Sequence, residues 1–163
     1  MSFKIMGLPT AAFSQYFARN PEELARMGAR RVIAGADRGF PCRITLEDAR
    51  AGESLILLHH VSHDVANPFR TAYAIYVREI APEIEPEAWV DSLPPVFAGR
   101  TLSLRGFDAE GMLSDAKLAA PGEVEEKIRA LFANAQVAYI HAHNAAYGCF
   151  AARIDRHEDV FWI

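Results

Sequence analysis

Residues 137–155 alternate between apolar and polar side chains on both sides of a short loop that contains glycine. This period of two predicts two β-strands, and the five-residue loop 144–148 predicts that they form a hairpin. We expect His143 to lie opposite Cys149. That register places the most reactive side chains of the segment on one face, namely His141, His143, Cys149 and Arg153. Opposed Cβ atoms lie roughly 4.5–5.5 Å apart, so these groups are within reach of one another.

The other face of the hairpin is small and apolar, which is typical of packing on a core. Its members are Ala138, Ile140, Ala142, Phe150 and Ile154. Two interpretations of the reactive face are open. In the first, it is the solvent face of the sheet and its histidines have no chemical role. In the second, it lines a ligand pocket or a metal site.

Other apolar runs predict the remaining strands, at 3–8, 30–34, 44–46, 54–61, 73–78, 101–107 and 112–118. The run 55–58 is apolar on both faces, which indicates a central, covered strand. Beyond it, His59 and His60 point to opposite faces, and we expect His63 to fall in the following loop. The glycine-containing turn 108–111 predicts that the last two strands form a second hairpin.

Two segments have helical signals. Asn20 is a good N-cap for a helix that starts at Pro21 and stops at Gly28. In the segment 122–134, apolar residues recur at helical spacing, namely Val124, Ile128, Leu131 and Phe132. The segment 80–97 is rich in Pro and Glu, and we expect an irregular connection with at most one helical turn near 87–92. The apolar tail 159–163 predicts an edge strand or a plug for a groove.

These elements predict an α+β fold in a single domain, with a mainly antiparallel sheet and one long amphipathic helix packed on one face. The chain has 163 residues, of which 51% are hydrophobic, enough for one hydrophobic core. The net charge of −4 argues against a nucleic-acid partner, because such surfaces need clustered Lys and Arg. No apolar run is long enough to span a membrane, and no signal peptide is evident. We therefore expect a cytoplasmic protein whose two cysteines are reduced.

The pair His141 and His143 carries the metal hypothesis, because two imidazoles two residues apart on a strand can bind one ion from the same side. A Zn²⁺ site needs three or four ligands. The candidates for the others are Cys149, Cys42, His59, His60 and His63. The sequence assigns no particular cofactor.

A second hypothesis makes Cys149 or Cys42 a nucleophile with a histidine base. A neighbouring cation stabilises a thiolate, and the predicted hairpin gives Cys149 both His143 and Arg153 as neighbours. The simpler interpretation is that Cys149 is a small buried residue. A redox pair of Cys42 with Cys149 is also open.

A third hypothesis is anion binding by arginine, whose planar fork matches a carboxylate or a phosphate. The arginines considered are Arg43, Arg70, Arg78, Arg105 and Arg153. Arg78 and Arg105 lie inside predicted strands, so each must pair with an acid such as Glu79, Asp108 or Asp155, or face a pocket. The chain has no glycine-rich phosphate loop and no Gly-x-Ser-x-Gly elbow.

Several short motifs together resemble one bacterial family, the one catalogued as domain of unknown function 1203. They include Gly39-Phe-Pro-Cys-Arg43, Asn67-Pro-Phe-Arg70, Tyr76-Val-Arg-Glu79, Arg105-Gly-Phe-Asp108 and Gly148-Cys-Phe-x-x-Arg153. The resemblance covers nearly the whole chain, although Tyr73-Ala74 stands where the family tends to have Gly-Pro. It implies a small bacterial cytoplasmic protein and supplies no substrate or catalytic residue.

Two functions of different classes therefore remain. One is a non-catalytic domain that binds a small ligand, with anions among the candidates, or forms a homodimer through an exposed strand edge. In this case, the ligand-binding candidates are His141, His143, Cys149, Arg153, Cys42 and Arg78. The other is a small enzyme, with Cys149 and His143 as its catalytic candidates or with a metal at His141 and His143.

Overall fold

Nine β-strands form two antiparallel sheets in the computed structural model, which describes residues 1–80 and 84–158. In chain order they are β1 (Ser2–Met6), β2 (Arg30–Ile33), β3 (Ser54–His63), β4 (Thr71–Arg78), β5 (Ala88–Val90), β6 (Leu102–Phe107), β7 (Leu113–Ala119), β8 (Tyr139–Asn144) and β9 (Phe150–His157). The large sheet has the order β5-β1-β9-β8-β6-β7, and the small sheet has the order β2-β3-β4. The antiparallel prediction is confirmed, and the run 55–58 lies in the central strand of its sheet.

Helix α1 (Pro21–Arg26) begins as the sequence predicts. The side chain of Asn20 accepts a hydrogen bond from the backbone N–H of Glu23 at 2.9 Å, which satisfies one of the free donors of the first turn. The helix is followed by Gly28 with a φ of 72°. Only glycine adopts this left-handed conformation without a steric cost, so the chain turns here into β2.

Helix α2 (Val124–Phe132) packs on β6 and β7 through the predicted apolar stripe. It has nine residues, so the long helix expected over 122–134 is not confirmed. Gly122 has a φ of 89°, which is outside the helical region, and the segment after Phe132 turns toward β8. No helix in the described part of the chain is long and apolar enough to cross a membrane.

Three local predictions are wrong. The segment near 87–92 forms the edge strand β5 instead of a helical turn, because it pairs with β1 through Ile5 and Trp89. The segment 44–46 is a turn and not a strand, and His63 is the last residue of β3 rather than part of a loop. The prediction for 159–163 lies outside the described residues.

The two sheets meet through a layer of aromatic and imidazole rings. One face of the large sheet packs on α2 through apolar residues such as Ile140 and Ile154. The opposite face of β8 meets β3, where the rings of His63 and His141 have centroids 5.0 Å apart. His141 and His143 are each only 2% exposed. The interpretation of their face as a solvent face is therefore wrong.

Candidate functional site

The register of the hairpin formed by β8 and β9 separates the cysteine from the histidines. His141 pairs with Arg153 and not with Ala151, the partner that the predicted register requires, and His143 pairs with Phe150. Between these two pairs a bulge at Ala151 inserts one extra residue, which changes the phase of β9 and takes Cys149 off the histidine face. The predicted opposition of His143 and Cys149 is wrong. Phe150 instead lies against the rings of His141 and His143, with centroids 5.1 and 5.9 Å away, so its predicted place on the apolar face is wrong as well.

The buried histidines are held in the neutral form. Burial, with smaller contributions from the nearby His63 and Arg153, lowers the pKa of His141 to about 3. Burial also lowers the pKa of His143 to about 4, although a hydrogen bond from its Nδ1 to the carbonyl of Gly148 at 2.9 Å opposes the shift. Charged imidazoles are costly at such depth, which makes this layer a neutral polar core.

The third member of the layer, His63, has both ring nitrogens engaged. Its Nδ1 lies 2.9 Å from the carbonyl oxygen of Phe69, which can only accept, so this nitrogen carries the proton. Its Nε2 then accepts from the hydroxyl of Tyr139 at 2.6 Å. By contrast, Nδ1 of His141 is buried and has no hydrogen-bond partner among the described residues.

Metal binding by His141 and His143 stays a prediction. Within residues 1–80 and 84–158, no group of three or more His, Cys, Asp and Glu side chains is placed to hold a metal ion. His63, the imidazole nearest to His141, already uses both nitrogens in hydrogen bonds. A metal at this pair would need ligands from outside the described protein groups.

Cys149 lies at a different place, in a cleft of about 780 Å³. The walls come from β4, from the segment before and after Pro41, and from the loop 144–149. The lining residues include Arg38, Arg43, Leu57, Tyr73, Ile75, Tyr76, Arg100, Asn144, Ala146, Tyr147 and Cys149. Neither His141 nor His143 lines this cleft, and no acidic residue is among the described residues that do.

Arg43 is the buried cation of the cleft and is 2% exposed. Its Nε donates to the carbonyl of Phe150 at 2.7 Å, one Nη donates to the carbonyl of Pro41 at 2.6 Å, and the other donates to Sγ of Cys149 at 3.1 Å. Burial lowers the pKa of the Arg43 guanidinium, and the neighbouring Cys149 sulfur opposes that shift. Arg43 forms no ion pair with any carboxylate in the described part of the chain.

The backbone explains how Arg43 reaches this position. The N–H of Leu8, just after β1, donates to the carbonyl of Arg43 at 2.8 Å, and the N–H of Arg43 donates to the carbonyl of Tyr76 in β4 at 3.2 Å. The residue is therefore tied to both sheets. The same Sγ atom of Cys149 accepts a second hydrogen bond, from the side chain of Asn144 at 3.4 Å. These bonds fix the thiol and the guanidinium beside each other.

The other predicted site residues lie elsewhere. Cys42 is fully buried, and its sulfur accepts from the backbone N–H of Arg78 at 3.2 Å. The Arg78 side chain binds Glu53 at 2.7 and 2.9 Å, so it is paired within the fold, with a different acid from those expected. Arg153 lies on the rim of the histidine face, with its guanidinium 4.1 Å from the ring centroid of Tyr139 and an ion pair to Asp155.

The remaining arginines of the anion hypothesis do not reach the cleft. Arg70 pairs with Asp64 at 3.3 Å, and Arg105 donates to Ser103 at 3.3 Å. The cleft is instead lined by Arg38 and Arg100, which no motif or periodicity in the sequence marks as site residues. Arg43 was among the candidate arginines, but its pairing with Cys149 joins residues 106 positions apart and has no local sequence signal.

Comparison with known proteins gives a family and no activity. A family model described as "Protein of unknown function (DUF1203)" matches residues 39–156. No curated protein and no solved structure matches the chain. The matched span contains Arg43, Cys149 and most of the cleft, and it confirms the resemblance inferred from the motifs. The chain belongs to the DUF1203 family.

Proposed function

We propose that the cleft binds a small organic anion, with its acidic group on Arg43. The buried guanidinium of Arg43 is the observation that carries this proposal. A charge removed from water is costly unless it is paired, and its three present acceptors are two neutral carbonyls and a sulfur. Three of the five N–H donors of the guanidinium are used in these bonds, so two remain for a ligand.

The wider charge distribution of the cleft supports an anion. Arg38 and Arg100 line the same cleft as Arg43, and the described lining has no acidic residue. Arg100 is already bound by Asp48 at 2.7 and 3.0 Å, whereas within residues 1–80 and 84–158 the side chain of Arg38 donates only to the carbonyl of Ala98. Two positive charges therefore lack a carboxylate partner among the described residues.

The remaining lining supports a ligand with an apolar body. Tyr73, Tyr76 and Tyr147 contribute aromatic rings, and Leu57 and Ile75 contribute aliphatic groups. Small-molecule sites are typically 300–1,000 Å³ in volume, mostly apolar, with a few polar groups that orient the ligand. A small aromatic or aliphatic carboxylate fits this description better than inorganic phosphate, which has no apolar part.

The test is to titrate the protein with benzoate, acetate and inorganic phosphate in turn. Binding is measured by isothermal titration calorimetry or by NMR chemical shifts. We expect benzoate to bind most tightly, and Arg43→Gln to weaken it by roughly tenfold or more, since a hydrogen bond to a charged group is worth about 1.5–3 kcal/mol. Arg70→Gln is the matched control, because Arg70 is exposed and lies outside the cleft.

A second variant covers the case in which Arg43→Gln does not fold. Ala146 is exposed and lines the cleft, so Ala146→Trp fills part of the space without disturbing the core. We expect this variant to keep the wild-type melting temperature and to lose benzoate binding. Wild-type protein that binds none of the three anions at millimolar concentration contradicts the proposal.

Self-association is a second candidate function, because β7 is an outer strand of the large sheet with exposed apolar side chains. Leu118 is 66% exposed and Leu113 is 40% exposed. An unpaired strand edge with apolar side chains can pair with a second copy of the chain. We expect sedimentation analysis to find a dimer that Leu118→Lys converts to monomer. A wild-type monomer at high micromolar concentration excludes this candidate.

The family resemblance also leads us to propose a bacterial protein of the cytoplasm. The two free cysteines fit a reducing compartment. A net charge of −4 does not favour a nucleic-acid partner. Catalysis remains the alternative to simple binding, and Cys149 is the only one of the two predicted catalytic residues that lines the cleft.

A further inference from the structure

Cys149 and Arg43 place a thiol and an anion-binding group side by side on the wall of one cleft. The Sγ of Cys149 lies 3.1 Å from a guanidinium nitrogen of Arg43, and the cysteine is partly exposed, whereas Cys42 is fully buried. The thiolate is the nucleophilic form of cysteine, and a cationic neighbour favours it. The same cation has free N–H donors and no described carboxylate partner.

We infer that Cys149 is a covalent attachment site for small carboxylates that carry an electrophilic carbon next to the acid group. This inference rests on the proposed function, since it requires a carboxylate on Arg43. It adds that the bound ligand reacts with the thiol and that Arg43 orients the ligand for that reaction.

The short distance between the two groups limits which carbon reacts. A carboxylate oxygen bound by a guanidinium lies about 2.7–2.9 Å from the nitrogen. Because Sγ is 3.1 Å from the same guanidinium, only the carbon α or β to the carboxylate can approach it. More distant carbons extend away, toward the aromatic part of the cleft.

The chemistry balances without a further reactant. At an α carbon that bears a leaving group, an S–C bond forms, the bond to the leaving group breaks, and the leaving group departs with its electron pair while the thiol proton passes to water. At the β carbon of an α,β-unsaturated acid, an S–C bond forms as the π bond breaks, and a proton is gained at the α carbon in place of the one lost from the thiol. In both cases, binding before reaction raises the rate because the reacting atoms are already close.

The test compares iodoacetate with iodoacetamide, which have the same reactive carbon and leaving group and differ in charge. Peptide mapping after timed labelling reports Cys149 and Cys42 separately. We expect the ratio of the iodoacetate rate to the iodoacetamide rate at Cys149 to exceed the ratio for glutathione by roughly tenfold or more. The iodoacetate rate at Cys149 should saturate with concentration, and benzoate should suppress it.

Variants identify the source of the preference. Arg43→Gln should slow both reagents, because the thiol loses its cationic neighbour, and should bring the ratio of their rates at Cys149 down to that of glutathione, whereas Arg70→Gln should keep the preference for iodoacetate. If Arg43→Gln does not fold, the wild-type ratio and the protection by benzoate still decide the outcome. Cys149→Ser should remove the labelled peptide.

The outcomes separate the two proposals. Benzoate binding together with a glutathione-like rate ratio at Cys149 overturns the covalent inference and leaves the proposed function standing. Absence of both anion binding and the rate preference overturns both. The inference is also overturned if iodoacetate labels Cys149 rapidly and benzoate does not slow the labelling. In that case the reactivity of the thiol does not depend on the anion site.

Discussion

At the scale of single residues, His141 and His143 are built into the protein as neutral core side chains. The ring of His141 packs against Phe107, Tyr139 and Phe150, and the ring of His143 packs against Phe150. Both are buried and do not lie at a surface where they could exchange protons freely. Histidine in this setting contributes ring packing more than acid–base chemistry. The pKa values of about 3 and about 4 record the cost of charging them.

This cost predicts that acid begins to destabilise the protein at pH values well above the pKa values of ordinary carboxyl groups. Both folded-state pKa values lie below the ordinary value of 6.5, so the unfolded chain binds more protons than the folded one once the pH falls below 6.5. Stability therefore decreases from about pH 6.5 down through pH 4 and 3. At pH 5, each histidine should lower the free energy of unfolding by up to about 2 kcal/mol relative to pH 7.5, measured by urea denaturation.

The variant His141→Leu measures how much His141 alone contributes to the loss of stability at acid pH. It should flatten the decrease in stability between pH 7.5 and pH 5, and it also removes a buried Nδ1 that has no described partner. His59→Gln is the control for the loss of a histidine at an exposed position, because His59 lies at the surface of β3. Equal slopes for His141→Leu and wild type would contradict the explanation.

At the scale of elements, local sequence signals predicted most of the architecture. The Asn20 cap, the hairpin formed by β6 and β7, the covered strand β3 and the apolar stripe of α2 were all readable, because each depends on residues close in sequence. The edge strand β5 was not, since its three residues follow a Pro- and Glu-rich segment and become a strand only by pairing with β1.

The bulge at Ala151 shows why the candidate site was only partly predictable. The alternation correctly places His141 and Arg153 on one face, but nothing in the sequence of β9 marks where an extra residue enters. That one residue moves Phe150 onto the histidine face and leaves Cys149 with Asn144 on the other side. The reactive side chains were identified, and their grouping into a single site was wrong.

At the scale of the whole molecule, the cleft depends on contacts that no local pattern encodes. Arg43 is held by backbone bonds to the segment after β1 and to β4, and its side chain reaches the beginning of β9. The position of the Arg43 guanidinium therefore depends on how the two sheets pack against each other. Gly7 lies at this junction, where a Cβ atom would come 1.8 Å from the carbonyl oxygen of Ile44.

We therefore predict that Gly7→Ala disturbs both folding and the cleft. The neighbouring atom is backbone and cannot move aside as a flexible side chain would, so the junction must shift at a cost of about 2–4 kcal/mol. Gly35→Ala is the matched control, because nothing lies within 4 Å of its added Cβ. In thermal denaturation, the melting temperature should fall strongly for Gly7→Ala and change little for Gly35→Ala. Equal melting temperatures for the two variants would contradict this account of the junction.

The contrast between the two thiols has a practical consequence for spectroscopy. Cys42 is sealed in the core with its sulfur bound by backbone amides, whereas Cys149 opens into the cleft. The native chain thus behaves as a single-cysteine protein toward bulky thiol reagents. A fluorinated or fluorescent tag attached without mutagenesis would sit beside Arg43 and act as a built-in sensor for screening compound libraries against the cleft.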